Sequence, residues 1–270
     1  MNIEQIVEKY IKKDDYFIIP TGENKSTIVF CMGYNPYKLL DKNHGQIDSY
    51  YYTSNISYFL AKDIITTLNE NGYSATMSNE YIKPLVVKAK FGEKLKTTLV
   101  AVDKYGTKIV FQAIDVDGIY YKYGNYVPKE LCKDCDKCVK ACKNNALDNG
   151  FSRPDCLRNY QDLTDLGDEK ARKAQGNNII GCDICQRVCP YNKDIALKEV
   201  PTDLVSFLEL KNLLFRVREG KKGLEFLVEH IGKNFLRVKR VHRLTVNAIL
   251  NSGNEKLISL LNEEEKSGKI

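Results

Sequence analysis

The stretch CKDCDKCVKAC at residues 132–142 places four cysteines at the spacing C-x-x-C-x-x-C-x-x-x-C. Four more cysteines follow: a solitary Cys156, and three in the stretch CDICQRVCP at residues 182–190. Thiolates at such spacings hold 4Fe–4S clusters, each of which takes four cysteine ligands. The eight cysteines therefore predict two clusters, with no ligand left over.

The first run also predicts which cysteine serves which cluster. In bacterial ferredoxins, three cysteines of such a run bind one cluster and the fourth binds the other. We therefore expect a crossed arrangement of ligands. Cluster 1 would take Cys132, Cys135, Cys138 and Cys189, and cluster 2 would take Cys142, Cys156, Cys182 and Cys185.

Other uses of cysteine fit the chain less well. Disulfide frameworks belong to exported proteins, and residues 1–13 alternate charged with isolated apolar residues instead of forming the apolar core of a signal peptide. Structural zinc needs two C-x-x-C pairs, and the first run with its closing C-x-x-x-C oversupplies such a site. The ninth cysteine, Cys31, lies in an apolar stretch and is expected to be a small core residue.

Length and composition describe an ordinary globular chain. With 270 residues, 28% of them charged and 43% hydrophobic, it should form about two domains with a substantial core. No apolar stretch approaches the length that spans a bilayer. Because the clusters are oxygen-sensitive and the sequence shows no export signal, we expect a cytoplasmic chain without membrane contact.

The net charge of +6 is concentrated towards the C-terminal end. Residues 206–245 contain ten Lys and Arg against four Asp and Glu. Such a patch suits a partner that bears phosphates. A solvated helix face explains the same charges equally well, so charge alone leaves both interpretations open.

The first third of the chain predicts mixed α/β structure. Helical spacing of apolar residues predicts a helix within residues 3–11 and a second that starts at Ser54 or Asn55 and ends at Asn71-Gly72. The apolar face of the second helix is expected to carry Ile56, Phe59, Leu60, Ile64 and Leu68. Strands are predicted at 17–20, 26–34 and 74–77, a helix at 82–91, and a hairpin pairing 97–102 with 108–116 around a turn at 103–106.

The rest of the chain is predicted to be mainly helical. Residues 162–178 predict a polar surface helix and loop, and helices are expected at 205–217, 224–231 and 235–250, before a last short helix and a charged end at 263–270. The predicted fold class is α+β in three parts. They are an N-terminal α/β domain at 1–127, a ferredoxin-like double-cluster module at 128–200 and a basic helical region at 201–270.

The part of the chain before the cysteines indicates an enzyme. Two clusters with crossed ligands lie close enough to pass single electrons, and the cysteine stretch alone would suffice for that. About 130 residues precede it, which suggests a second cofactor or a substrate site. Neither G-x-G-x-x-G nor a Walker sequence occurs, which argues against a nucleotide or flavin held by those loops.

Several stretches resemble the epoxyqueuosine reductase family. GNNIIGCDICQRVCPYN at 176–192 resembles the family's second cluster motif, and KPLVVKAKFG at 83–92 looks like its R-P-L-A-x-K-A-G-L-G. CLRNY at 156–160 takes the place of the family's R-C-I-S-Y-L-T, and FLRVKRVHRLTVNAILNSGN at 235–254 looks like its closing basic helix. The resemblance extends from about residue 28 to residue 254.

The resemblance implies a cobalamin-dependent reductase that acts on tRNA. The N-terminal domain would cradle cobalamin, electrons from the clusters would reduce cobalt, and the epoxide of epoxyqueuosine would become the alkene of queuosine. A flavodoxin or ferredoxin would donate the electrons to a monomer. Cobalamin would contact Lys96, Thr97, Gln112 and Arg158, and tRNA would contact Arg237, Lys239, Arg240 and Arg243.

Three departures from the family pattern concern the chemistry. The family's catalytic aspartate falls on Thr76, its G-W-x-G-K-N reads GEKLKT at 92–97, and Lys143 replaces a proline. Opening an epoxide needs a proton for the leaving oxygen, so another group must supply it or the substrate differs. Glu80, Tyr81 and the tyrosines at 50–52 are the candidate donors, although a tyrosine run more often serves packing.

Two alternatives therefore stay open. The first is a corrinoid and iron–sulfur reductase of a small molecule, similar to reductive dehalogenases, which the missing aspartate favours. The second is an iron–sulfur module that transfers electrons without catalysis. Bound cobalamin would exclude the second, and queuosine in tRNA would decide between tRNA and a small molecule as substrate.

Overall fold

The computed structural model describes residues 1–162, 169–233 and 236–266, with side chains to residue 263. The chain forms two compact units, each built from several segments. The first unit contains Met1–Tyr34, Tyr52–Asp136 and Val188–Ile195, and the second contains Asn35–Tyr51, Lys137–Arg187 and Ala196–Ile270. Helices and strands occur in both units, which confirms the α+β fold class. The three-part domain boundaries stay a prediction.

The elements are numbered in chain order among the described residues. The strands are β1 (Tyr16–Gly22), β2 (Lys25–Gly33), β3 (Gln46–Ile47), β4 (Ala75–Met77), β5 (Glu93–Lys94), β6 (Val100–Ala101), β7 (Ile109–Asp117) and β8 (Asn178–Ile180). The helices are α1 (Ile3–Val7), α2 (Tyr50–Glu70), α3 (Ile82–Lys88), α4 (Lys137–Ala141), α5 (Leu157–Tyr160), α6 (Glu169–Gln175), α7 (Ile184–Arg187), α8 (Thr202–Leu208), α9 (Leu210–Arg218), α10 (Glu225–Ile231), α11 (Val238–Ser252) and α12 (Glu255–Lys266).

An antiparallel sheet in the order β1-β2-β7-β4 forms the centre of the first unit. Alternate side chains of a strand point to opposite faces, and both faces of this sheet are covered. Ile18, Ile28 and Ile114 join the core beneath α1 and α2. Phe17 and Val29 join a second core beneath α3. The predicted strands at 17–20, 26–34 and 74–77 are confirmed within one or two residues.

Helix α2 starts earlier than predicted. It begins at Tyr50, because the Asp48 carboxylate accepts the Tyr50 backbone N–H at 3.0 Å and so satisfies a donor of the first turn. Ser54 and Asn55 therefore lie inside the helix and do not cap it. The predicted apolar face was wrong in part, because the Ile56 and Phe59 side chains are 59% and 56% exposed while Ile64 and Leu68 are buried.

The predicted hairpin between residues 97–102 and 108–116 does not form. Strand β6 pairs with β5, and β7 pairs with β2 and β4 instead. The β5–β6 pairing depends on Gly92, because a Cβ there would lie 2.4 Å from the Ala101 carbonyl oxygen. The turn itself is present, with Val102 and Gly106 exchanging backbone hydrogen bonds of 2.9 Å.

The second unit is mainly helical around the parallel pair β3–β8. Helix α11 packs against α9, α6 and β8, and Leu213, Leu244 and Ala248 are fully buried there. The helix predicted at 205–217 is split into α8 and α9 because Glu209 is extended, with ψ 124°. Helix α11 begins at Val238. The start predicted for it, Phe235, lies outside the described residues. Most of the loop predicted within 162–178 lies outside them as well. Among the helices that the structure describes, none combines the length and the apolarity needed to cross a lipid bilayer.

Candidate functional site

All nine cysteines lie among the described residues, where none of them forms a disulfide bond. Cys31 is buried, at 3% exposure, in β2, which confirms its expected place in the core. The four cysteines predicted for cluster 2 all lie in the second unit. Three of those predicted for cluster 1 lie in the first unit, and the fourth, Cys138, is the second residue of α4, just past the boundary at Asp136.

Short helices position the cysteines that the sequence predicts for cluster 2. Cys156 immediately precedes α5, Cys185 lies in α7, and α7 packs against α4, which leads into Cys142. Burial, followed by the neighbouring Cys185 and Cys156, raises the pKa of the Cys182 thiol to about 12. Thiolates that lie close together and partly buried need a compensating positive charge. This donor set therefore fits an iron–sulfur cluster.

The described residues show no group of three or more His, Cys, Asp or Glu side chains placed to hold a single metal ion.

A glutamine that sequence reasoning missed holds the loop before Cys182. The side chain of Gln161, at the end of α5, accepts the Gly181 N–H at 2.7 Å and donates to the Gly181 carbonyl at 3.0 Å. Gly181 has φ +81°, and a Cβ there would lie 2.6 Å from Cβ of Asp48. Only glycine fits such a position. The spacing of the cysteines gave no signal for Gln161.

Helix α11 contributes a buried polar network behind the same loop. The Arg243 guanidinium lies 5.0 Å from the Tyr160 ring centre and donates to the Tyr160 and Gln161 carbonyls at 3.3 and 3.4 Å. Asn247 donates to the Tyr160 hydroxyl at 3.1 Å and to Gln175 at 3.0 Å. These side chains connect the helix to the α5 turn.

The four basic residues predicted to contact tRNA are in different environments. Arg243 is 8% exposed and serves the buried network. Arg240 pairs with Asp162 at 2.9 Å, with its side chain 17% exposed. Arg237, which precedes α11, and Lys239 are exposed. The structure therefore presents two of the four to solvent.

Lys96 lies beside the first two cysteines predicted for cluster 1. Its backbone N–H donates to Sγ of Cys132 at 3.3 Å, and its Nζ donates to the Cys135 carbonyl at 3.0 Å. A hydrogen bond to a cluster sulfur is one of the ways in which a protein sets the reduction potential of the cluster. Its neighbour Thr97 accepts the Leu99 N–H at 3.4 Å.

A second group fixes the loop that leads to Cys132. The Glu93 carboxylate accepts the Tyr126 hydroxyl and, at 2.9 Å, the Lys129 N–H. Burial opposes ionisation of Glu93, but hydrogen bonds from Tyr126 and Tyr191 lower its pKa overall. The Tyr191 hydroxyl also accepts the Leu131 N–H at 3.2 Å. Sequence reasoning missed Glu93 and Tyr191, because their contacts join distant parts of the chain.

The proposed proton donors Glu80 and Tyr81 line a largely apolar cavity of about 870 Å³ in the first unit. Tyr81 is 88% exposed at its mouth. Lys94 and Thr98, which flank the Lys96–Thr97 stretch, line the same cavity. Lys96 and Thr97 themselves are not among the described residues that line it.

The position of the family's aspartate has a carboxylate beside it. Thr76 is exposed in β4, and its cross-strand partner in β7 is Asp115. Asp115 accepts the Thr27 hydroxyl at 2.7 Å, and Lys25 lies 3.5 Å from Asp115 and 2.8 Å from Glu80. A lysine therefore bridges the two carboxylates next to Thr76.

The other residues singled out from the sequence lie apart from this cavity. Gln112 in β7 is half-buried and donates to the Ser57 hydroxyl at 3.0 Å. Arg158, in the second unit, lies over the Tyr51 ring at 4.8 Å and 3.8 Å from Asp162. Tyr51, in the tyrosine run at 50–52, is 1% exposed. Packing is therefore its role in the first turn of α2.

Residues 131–192 match the model of the 4Fe-4S double cluster binding domain. An epoxyqueuosine reductase from Listeria monocytogenes is 34% identical over 108 residues, which cover 39% of this chain and 28% of that protein. The matched stretch thus spans less than a third of the relative. The chain resembles this family in sequence, and residues 131–192 form the double-cluster module that the cysteine spacing predicted.

Solved epoxyqueuosine reductases share the fold. The enzyme from Streptococcus thermophilus superposes with a TM-score of 0.71 at 22% identity, covering 91% of this chain and 69% of that one. An epoxyqueuosine reductase solved with an epoxyqueuosine-modified tRNA-Tyr stem loop gives a TM-score of 0.70 at 16% identity, covering 96% and 76%. The likeness extends over both units of the chain.

Proposed function

We propose that this chain is an iron–sulfur and cobalamin-dependent oxidoreductase that reduces epoxyqueuosine to queuosine in tRNA. The observation that carries the proposal is the combination of an eight-cysteine double-cluster module with a cavity in the first unit. The shared fold supports it, since a reductase of that fold has been solved with an epoxyqueuosine-modified stem loop. The whole reaction consumes two electrons and two protons and releases the epoxide oxygen as water.

The clusters would carry the electrons. Cys132, Cys135, Cys138 and Cys189 would hold cluster 1, and Cys142, Cys156, Cys182 and Cys185 would hold cluster 2. The Lys96 N–H, which donates to Cys132 Sγ, stabilises negative charge on that sulfur, and the Gln161 side chain fixes the residue before Cys182. An external flavodoxin or ferredoxin would supply the electrons to a cytoplasmic monomer.

Cobalamin would supply a reducible cobalt centre for the substrate carbon. The cavity of about 870 Å³ has the size and apolar walls of a cofactor site, so the residues present fit such a group. Of the residues that the resemblance implies, we assign Lys96 and Thr97 to it, because their neighbours Lys94 and Thr98 line this cavity. A hydroxyl group such as that of Thr97 suits the amide-bearing edge of a corrin.

Tyr81 is the residue that we assign as proton donor. The Glu80 carboxylate accepts a hydrogen bond from Lys25 at 2.8 Å, and this bond raises the pKa of Lys25. The Tyr81 side chain instead stands exposed at the cavity mouth, where its hydroxyl can reach a bound substrate.

Reduction of a small molecule on the same scaffold is the second candidate function. Two observations favour it: Thr76 stands where the family has its catalytic acid, and Arg240 and Arg243 make contacts within the protein. A substrate smaller than tRNA would need neither arginine. The cavity and the clusters would serve that reaction equally.

Anaerobic reconstitution with iron, sulfide and cobalamin tests the proposal. We expect about eight iron atoms per chain, if each of two cubanes holds four, a cob(II)alamin EPR signal, and conversion of epoxyqueuosine in tRNA. Cys185→Ala should lose about half of the iron, whereas Cys31→Ala should lose none. Bound cobalamin and full clusters without conversion would overturn the tRNA substrate in favour of a small molecule. Equal iron loss in the two variants would overturn the ligand assignment.

A further inference from the structure

The Glu93 carboxylate lies beside the loop that leads to Cys132. Glu93 belongs to GEKLKT at 92–97 and stands where the epoxyqueuosine reductase pattern G-W-x-G-K-N has tryptophan. This chain therefore has a negative charge at a position where the pattern has a neutral ring. Glu93, the loop at 126–132 and Tyr191 all lie in the first unit. Ligation of the clusters by cysteine does not by itself require this charge.

Four donors surround the Glu93 carboxylate. The hydroxyls of Tyr126 and Tyr191 donate to it, and so do the backbone N–H groups of Lys129, at 2.9 Å, and of Glu130. Successive N–H groups of a turn form a concavity that binds anions. Glu130 has φ +52°, a region that residues other than glycine seldom adopt. The loop thus keeps a strained conformation where it donates to the carboxylate, and the protein stabilises Glu93 as an anion.

Tyr191 connects this carboxylate to a predicted ligand of cluster 1. The Tyr191 hydroxyl donates to Glu93 and accepts the Leu131 N–H at 3.2 Å, and Leu131 immediately precedes Cys132. Burial raises the pKa of Tyr191, the hydrogen bond to Glu93 raises it further, and Cys132 lies near enough to contribute. Tyr191 also follows Cys189, a second predicted ligand, by two residues. One phenol therefore links the charge of Glu93 to the segments that carry two cysteines of cluster 1.

We propose that the Glu93 carboxylate lowers the reduction potential of cluster 1. A fixed negative charge nearby makes the addition of an electron less favourable, because like charges repel, and net charge is one of the determinants of a cluster's potential. The Lys96 N–H, which donates to Sγ of Cys132 at 3.3 Å, acts in the opposite direction. The inference rests on the proposed function for the ligands of cluster 1, and it goes further by naming the residue that makes this cluster a stronger reductant.

Redox titration of the reconstituted full-length protein, followed by EPR, tests this role without any substrate. Glu93→Gln removes the charge and keeps the length of the side chain and an oxygen that accepts hydrogen bonds. It should raise the midpoint potential of one cluster by about 59 mV or more, which is a tenfold change in the ratio of reduced to oxidised cluster for one electron. The other midpoint should move less. Glu8→Gln is the matched control and should move neither midpoint, because Glu8 also accepts a tyrosine hydroxyl, that of Tyr16 at 3.0 Å.

Two further variants separate the charge of Glu93 from its packing. Glu93→Trp introduces the residue of the family pattern and also removes the charge, so it should raise the same midpoint. Glu93→Asp keeps the charge on a shorter side chain, so its midpoints should stay close to those of the unchanged protein. Unchanged midpoints in both neutral variants would overturn the proposal. Loss of one cluster from both neutral variants would show that Glu93 only holds the loop in place, and would overturn it as well.

The titration also separates this inference from the proposed reaction, because it needs neither cobalamin nor tRNA. A shifted midpoint in a protein that converts no epoxyqueuosine would uphold the role of Glu93 and count against the reaction alone. Unchanged midpoints in a protein that does convert epoxyqueuosine would overturn the role of Glu93 and leave the reaction standing.

Discussion

The Gln161 side chain occupies both backbone polar groups of Gly181, with hydrogen bonds of 2.7 Å and 3.0 Å. Gly181 immediately precedes Cys182, and Gln161 follows the one-turn helix that begins after Cys156. One buried side chain therefore joins the backbone segments that carry Cys156 and Cys182, two predicted ligands of cluster 2.

Gln161→Ala should selectively weaken cluster 2. Loss of the two bonds leaves buried backbone groups of Gly181 unsatisfied, which costs about 1–3 kcal/mol each, and releases the loop that carries Cys182. We expect partial loss of iron and a changed EPR signature of one cluster. Gln175→Ala is the matched control, because Gln175 is equally buried but donates to the Leu244 carbonyl at 2.9 Å. Equal iron loss in both variants would mean general destabilisation of the unit.

Arg243 and its exposed neighbours on α11 should respond differently to substitution. Arg243→Ala removes the bonds to the Tyr160 and Gln161 carbonyls and should lower the free energy of unfolding by about 1–3 kcal/mol. Arg237→Gln with Lys239→Gln should leave stability within about 0.5 kcal/mol. Denaturant unfolding measures the difference.

The same pair of exposed substitutions tests tRNA contact by α11. If the helix touches phosphates, the salt dependence of tRNA binding should flatten. An unchanged slope would assign these charges to a solvated helix face.

Thr76→Asp should increase turnover of epoxyqueuosine. The new carboxylate would stand opposite Asp115, and repulsion between like charges raises its pKa, so that it holds a proton nearer neutral pH. General acid catalysis contributes about two to four decades of rate, so an increase of about 10²-fold is expected. Thr76→Asn controls for size and polarity. A rate unchanged by the aspartate would show that Tyr81 or another group already delivers the proton.

The folded state should lose stability above about pH 10. Burial, reinforced by a hydrogen bond to Glu8, raises the pKa of Tyr16, so the folded chain keeps this phenol neutral. The unfolded chain ionises it near pH 10, and stability present below that pH is lost as the pH rises. Tyr16→Phe should reduce the pH dependence of unfolding between about pH 9.5 and 11. Tyr121→Phe, at a residue that is 61% exposed, is the control.

The features that could be predicted from the sequence are local ones. The spacing of cysteines in a short stretch reflects the cluster that they bind, and Cys31 could be placed in the core from its apolar neighbours. The strands at 17–20 and 26–34 follow from runs of β-branched and aromatic residues. Each of these signals lies within about ten residues of chain, the range over which propensity and period act.

The features that were missed depend on contacts between distant residues. Residues 97–102 could pair with the chain segment before them or with the one after them. The close backbone approach that Gly92 permits favours the pairing of β6 with β5. Arg243 has the same charge as Lys239. The Arg243 guanidinium is nevertheless buried, because it donates to the carbonyl oxygen of Tyr160, which is 83 residues away in sequence. Gln161 has no motif of its own. Its role follows from the position of Gly181.

The Gln161–Gly181 contact also bears on how a cluster is assembled. Cys156 and Cys182 are 26 residues apart in sequence, and bringing the ends of such a loop together costs about 3 kcal/mol of chain entropy, plus a constant. Hydrogen bonds of the protein alone already close this loop, and Cys156 lies near enough to affect the ionisation of Cys182. If Cys156 and Cys182 are ligands of one cluster, incoming iron and sulfide would meet them already held close together, and less of the free energy of cluster binding would be spent on closing the loop.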